Sequence, residues 1–131
     1  MDTRSVIEEG EALTLITWGA MVYPSLEAAS RFPGQVEVID LRTIVPWDQR
    51  TILASVAKTG RGLVVHEEPL TAGFGAEILA TLAEKAFKDL DAPLRRLTVP
   101  DSPIPYNAGM MKYVLPNTDS ILRTITELLA F

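Results

Sequence analysis

Five residues in two short stretches could carry chemistry in this chain: Asp40 and Arg42 in the first, and His66, Glu67 and Glu68 in the second. His66 is the only histidine. Imidazole titrates near neutrality, and a carboxylate beside it at a strand terminus could support general acid–base work. The same arrangement also serves a histidine that is hydrogen-bonded at a domain interface. Zinc needs three or four close N, O or S ligands, and one His with adjacent acids supplies too few. Ala72-Gly73-Phe74-Gly75 invites a phosphate-loop reading, because helix N-termini present free N–H groups to anions. It matches neither of the glycine-rich nucleotide motifs, and Glu77 in the first turn would repel an anion. Glycines making a tight entry into a helix explain it more simply.

Asp40, Arg42 and Asp48 could hold a ligand or form a structural or interfacial salt-bridge network. Trp47 follows Pro46, and an aromatic on a proline-stiffened loop can be an interface anchor or a cap on the core. No serine stands in a G-x-S-x-G elbow, and the absence of cysteine removes thiol nucleophiles, disulfides and thiolate metal sites.

The elements that must position these residues are legible from periodicity. Residues 36–41 and 63–66 are continuous apolar, β-rich runs, with 13–17 and 94–99 as weaker ones. Such runs mark strands covered on both faces. Between them the apolar spacing is helical. Val22, Leu26 and Ala29 share one stripe. Asp48 reads as an N-cap for a helix carrying Ile52, Leu53, Val56 and Ala57, and Gly60 stops that helix. Ile78, Leu82, Ala86 and Leu90 predict a long helix over 75–90, flanked by Leu79, Ala83 and Phe87. A last helix opens near Thr118 and buries Ile121, Leu122, Ile125, Leu128 and Leu129. Strands alternating with helices predict a three-layer α/β/α sandwich with a mostly parallel sheet of about five strands. The strand ends carrying Asp40 and His66 fall one helix apart and are expected side by side, where ligands collect in such sheets. Residues 1–11 read as the remnant of an interdomain linker, and 12–131 as the domain. Residues 100–116, with prolines at 100, 103, 105 and 116, form the one long irregular stretch.

The chain has 131 residues, the length of one ordinary domain, and 47% of them are hydrophobic, which suits a packed core. No apolar run approaches the ~18 residues that span a bilayer. No membrane role is therefore expected, and a cysteine-free chain suits the cytoplasm. Seventeen acidic against twelve basic residues give a net charge of −5, which disfavours nucleic acid and favours a basic protein partner.

Several segments in order resemble a known family. EGEALTLITWGAMV at 9–22 looks like its first strand and turn. DLRTIVPWD at 40–48 matches D-L-R-T-x-x-P-x-D, and SVAKTGRGLVVHE at 55–67 matches S-V-x-K-T-G-R-x-x-V-x-x-E. APLRRLTVPDSPIP at 92–105 matches A-P-x-x-R-V-x-x-x-D-x-P-x-P, and Leu115-Pro116 follows. Together these resemble the transketolase C-terminal-like domain of the beta subunit in the thiamine-diphosphate-dependent decarboxylating component of 2-oxoacid dehydrogenases. The Trp47 of P-W-D and the HEEPLT stretch lean toward branched-chain over pyruvate members. Met110-Met111-Lys112 departs from the acidic residue that many relatives carry after the proline-rich loop.

The resemblance implies an assembly and partner-docking role within an oxidoreductase that decarboxylates a 2-oxoacid and passes the acyl group to a lipoyl group. It implies thiamine diphosphate and Mg²⁺ held by two other domains, with no catalytic, cofactor-binding or metal residue in this chain. The implied partners are the remaining domains or subunits and the peripheral subunit-binding domain of the lipoyl acyltransferase; self-association is a further expectation. Asp40, Arg42, Trp47, His66, Glu67 and Phe131 are the candidate interface or cleft residues, and the Phe131 carboxylate is expected to meet an Arg or Lys of the docking partner. The chain is read as a piece of a longer polypeptide. The alternative is a free-standing small-molecule-binding α/β domain, using a cleft between residues 40–43 and 66–71.

Overall fold

The structure, a computed structural model, describes residues 6–41, 48–69, 73–99 and 116–131. Arg42, Trp47, Thr71 and residues 100–115 of the proline-rich stretch, with its Met110-Met111-Lys112, lie outside them.

The central strand is β2 (Leu13–Thr17), whose five residues are all buried. It is flanked by β3 (Val36–Asp40) and β4 (Gly62–Pro69), both parallel to it. Beyond β4 lies β5 (Arg95–Val99), also parallel, and beyond β3 lies the short antiparallel β1 (Val6–Glu8). The order is therefore β1-β3-β2-β4-β5.

Four described helices cover the sheet. Helix α1 (Val22–Ala29) and helix α4 (Thr118–Leu129) lie on one face, where Ala28, Ala29, Ile121, Ile125 and Leu128 pack on Leu13, Leu15, Val36, Val38, Leu63 and Val65. Helix α2 (Gln49–Thr59) and helix α3 (Phe74–Lys85) cover the other, where Ile52, Val56, Ile78 and Leu82 meet Ile16, Ile39 and Val64. Alternate strand residues thus serve opposite layers. The α/β sandwich read from the sequence is the fold. No described helix is long and apolar enough to cross a membrane.

Local signals account for the helix limits. The Asp48 side chain accepts from the Thr51 backbone N–H at 3.2 Å and from its hydroxyl at 2.6 Å. Gly60 ends α2 with φ 75°, a left-handed conformation that side-chain-bearing residues avoid. Asn117 and Ser120 cap α4 reciprocally.

Two expectations are corrected. The segment before residue 12 is more than linker: Val6–Glu8 pairs with β3, and the N–H groups of Glu11 and Ala12 bond the carbonyls of Gly34 and Gln35. Three residues carry too little periodicity to announce a strand. Helix α3 stops at Lys85, short of residue 90, and a 3-10 turn over Phe87–Asp89 follows. The Asp91 N–H bonds the Gly60 carbonyl at 2.7 Å, which draws the chain off the helix axis. Phe87 is left 73% exposed, outside the expected stripe.

Sequence periodicity also missed a polar chain buried under α2. Glu37 is 3% exposed in a strand whose other buried residues are apolar. Its carboxylate accepts from Ser55 Oγ at 2.5 Å, Lys58 Nζ at 2.5 Å and the Gly10 N–H at 3.4 Å. Thr14 Oγ1 lies 2.7 Å from both Ser55 Oγ and Thr59 Oγ1. Each hydroxyl has one proton. Ser55 gives its own to Glu37, so it accepts from Thr14, and Thr59 divides its single proton between Thr14 and the Arg61 carbonyl at 3.1 Å. Burial works to raise the Glu37 pKa, but the bonds from Lys58, Ser55 and Gly10 outweigh it, and the carboxyl titrates below its ordinary 4.5. The hydrogen bond to Glu37 raises Lys58 in turn.

A carboxyl with a depressed folded pKa stabilises fully above its unfolded value, and that contribution is lost as pH falls through the folded value. Glu37→Gln should therefore lower stability at neutral pH by about 1–3 kcal/mol. It should also flatten the loss of stability below pH 4.5, as read by urea unfolding across that range. An unchanged acid limb would show that Glu37 does not govern it.

Candidate functional site

In an open parallel sheet, ligands collect where the connections leaving two adjacent strand ends diverge. Here that point lies between β2 and β4. The chain leaves β2 for β3 on one side and leaves β4 for β5 on the other.

Aromatic side chains of the chain itself fill this position. Trp18, directly after β2, stacks on His66 of β4 with ring centroids 5.0 Å apart and planes 12° from parallel. Phe74, the first residue of α3, meets Trp18 edge-on at 5.9 Å and 74°. Such contacts contribute about 0.5–1.5 kcal/mol each beyond the area they bury. His66 is fully buried, and Trp18 and Phe74 are half-buried.

Gly75 explains the glycines that open α3. A Cβ built on it would stand 2.2 Å from His66 Nε2 and 2.6 Å from His66 Cδ2. The first turn of α3 lies this close to the imidazole only because residue 75 has no side chain. The G-F-G segment is thus a packing device, and Glu77 is exposed in the same turn.

Among the described residues, the sequence-predicted Asp40, His66, Glu67 and Phe131 are not gathered into one cleft. The connection from β3 to β4 crosses β2, so β2 separates the ends that carry Asp40 and His66. Two strand spacings set those ends about 10 Å apart. They also differ in face. Asp40 alternates with Val38 toward the α1 layer, whereas His66 alternates with Val64 toward α3. Adjacency in sequence order became separation in space, because a crossover need not join neighbours. Glu67 is exposed and, next to His66 in the strand, projects to the opposite face. Phe131 stands at the other end of the sheet, 63% exposed, with its carbonyl accepting from Arg61 at 2.6 Å. Arg42 and Trp47 lie outside the described residues, as does the Glu68 side chain. Among the described residues, no group of three or more His, Cys, Asp or Glu could hold a metal ion.

Trp18 escaped the reading of the sequence, although the T-W-G step at the end of an apolar run marks it as the first residue past a strand. Attention fell on Trp47 because of its proline.

Gly75→Ala isolates the packing claim. Alanine in a helix is worth about 1 kcal/mol over glycine. Here the methyl group meets a buried ring, and a net loss of about 1–3 kcal/mol is expected from denaturant unfolding. In a His66→Ala background the same substitution should cost much less, since the obstructing ring is gone. Equal costs in both backgrounds would refute the contact.

Comparison with known proteins agrees with this architecture. The profile described as "Transketolase, C-terminal domain" matches residues 3–121. The chain is 43% identical over 106 residues to the 2-oxoisovalerate dehydrogenase subunit beta of Pseudomonas aeruginosa, covering 81% of this chain and 30% of that protein. It is 41% identical over 129 residues to the pyruvate dehydrogenase E1 component subunit beta of Bacillus subtilis, covering 96% of this chain and 39% of that protein. The chain thus spans 30–39% of the length of these relatives. A solved structure described as a split-gene transketolase in an inactive beta4 tetramer shares the fold, with a TM-score of 0.78 and 19% identity over 95% of this chain and 41% of that one. With its strand order, its covered sheet and a family match over nearly its whole length, the chain belongs to the transketolase C-terminal domain family.

Proposed function

We propose that this chain is the assembly and partner-docking domain of a thiamine-diphosphate-dependent 2-oxoacid dehydrogenase component. In this reading the decarboxylation and the acyl transfer to a lipoyl group are carried out by other parts of the whole enzyme. The observation that carries it is the Trp18–His66–Phe74 cluster, which occupies the strand-end position where an α/β sheet would otherwise receive a ligand.

The described residues do not fit the cofactor. A diphosphate needs free backbone N–H groups at a helix start, and the start of α3 is packed on His66 with an acid in its first turn. Magnesium needs oxygen ligands converging on one point, and Asp40 and Glu67 belong to different strands separated by β2. The names of the relatives, beta subunits of 2-oxoisovalerate and pyruvate dehydrogenases, support placing the domain in such an enzyme. The net charge of −5 favours a basic partner, and the small basic peripheral subunit-binding domain of the acyltransferase fits that requirement. Phe131, exposed at the end of the sheet away from the ring cluster, is the anchor we assign to that contact.

Two measurements on the chain test this reading. Titrated with thiamine diphosphate and Mg²⁺ and assayed with 2-oxoisovalerate and pyruvate, it should bind no cofactor at micromolar concentrations and release no CO₂; either activity would overturn the proposal. Titrated with the subunit-binding domain, it should form a complex whose affinity falls about fivefold or more as salt rises from about 0.05 to about 0.5 M. If no complex forms and a small metabolite instead raises the melting temperature, the domain is a small-molecule binder.

A further inference from the structure

Arg61 lies between the glycine that ends α2 and the first residue of β4. Its guanidinium donates to three backbone carbonyls: Nε to Leu128 at 3.0 Å, Nη1 to Ala12 at 3.3 Å, and Nη2 to Phe131 at 2.6 Å. Leu128 belongs to the last turn of α4, and Ala12 directly precedes β2. The last carbonyls of a helix lack partners within it and carry partial negative charge. A planar, charged fork with five N–H donors answers both conditions and ties that helix end to the sheet. The Phe131 N–H adds a bond to the Leu128 carbonyl at 3.3 Å.

Phe131 is consequently held through its backbone while the residue stays 63% exposed. An aromatic that is both fixed and exposed suits an interface anchor, because binding need not first order it. Glu9 and Glu11 act on Lys58, and Arg61 itself brings a positive charge to Phe131. It is therefore the net charge of −5 on the whole chain that favours a basic partner over an acidic one.

We propose that Arg61 is a positioning residue, which fixes Phe131 as the anchor through which a small basic domain docks. The proposal rests on the docking reading above and adds the residue that makes the anchor rigid.

The test is a double-mutant cycle read by calorimetric titration with the subunit-binding domain. Phe131→Ala and Arg61→Gln should each weaken binding about tenfold, and the double variant should bind no more weakly than Phe131→Ala alone. Thermal melts confirm folding; if Arg61→Gln does not fold, Arg61→Lys replaces it, keeping the charge without the three-way fork. Should Phe131→Ala leave affinity unchanged, the docking reading itself falls and takes this proposal with it. Should Phe131→Ala weaken binding while the Arg61 variant does not, only the positioning role is overturned. Full additivity of the two losses would also overturn it, since Arg61 would then act elsewhere than through Phe131.

Discussion

A strand with neighbours on both sides and helices on both faces must satisfy its polar groups without water, and β2 does so for its backbone and for Thr14, while the buried Thr17 hydroxyl has no partner among the described residues. Its backbone is served by β3 and β4. Leu13 and Leu15 enter one apolar layer and Ile16 the other. Thr14 and Thr17 are the polar exceptions, and Thr14 shapes its surroundings. A buried hydroxyl costs about 1–3 kcal/mol if left without a partner, and Ser55 and Thr59 of α2 provide two. Those hydroxyls in turn lead to Glu37 and out to Lys58 at the surface. The position of α2 over the sheet therefore follows from hydrogen bonding as well as from Ile52 and Val56.

The two ends of the sheet are held by different physics. Where the parallel strands begin, charge dominates: the Glu37–Lys58 pair joins β3 to α2, and Arg61 joins β2 to the end of α4. Where those strands finish, rings dominate, with Trp18, His66 and Phe74 closing the gap between β2 and β4. The strand ends of β2 and β4 are thus tied together by packed rings. The glycine opening α3 belongs to this packing, since any side chain at position 75 would displace the imidazole.

The fold was largely readable from the sequence because its signals are local. Continuous apolar runs announced β3 and β4, a weaker one announced β2, and Asp48 and Gly60 bracketed α2 to the residue. What escaped depends on contacts between distant segments. The order of β3 and β4 around β2 is a matter of crossover, which neither strand encodes by itself. Helix α3 ends early because Asp91 bonds a carbonyl thirty-one positions back, at Gly60. His66 drew notice for its chemistry, but its role here comes from a tryptophan forty-eight positions earlier. Of the ring cluster, His66 stood out in the sequence and Trp18 did not, because the two rings meet only through the fold.

The three-residue strand at the sheet margin has a practical meaning. Its pairing with β3 is brief and irregular in register, and it closes with the exposed Glu8. Short, bulged, charged borders of this kind discourage strand addition by a second molecule. Without residues 6–11, the buried apolar β3 would present an open row of N–H and C=O groups, a template for intermolecular pairing and aggregation. Residues 6–11 therefore guard the margin of the sheet, ahead of the first long apolar run.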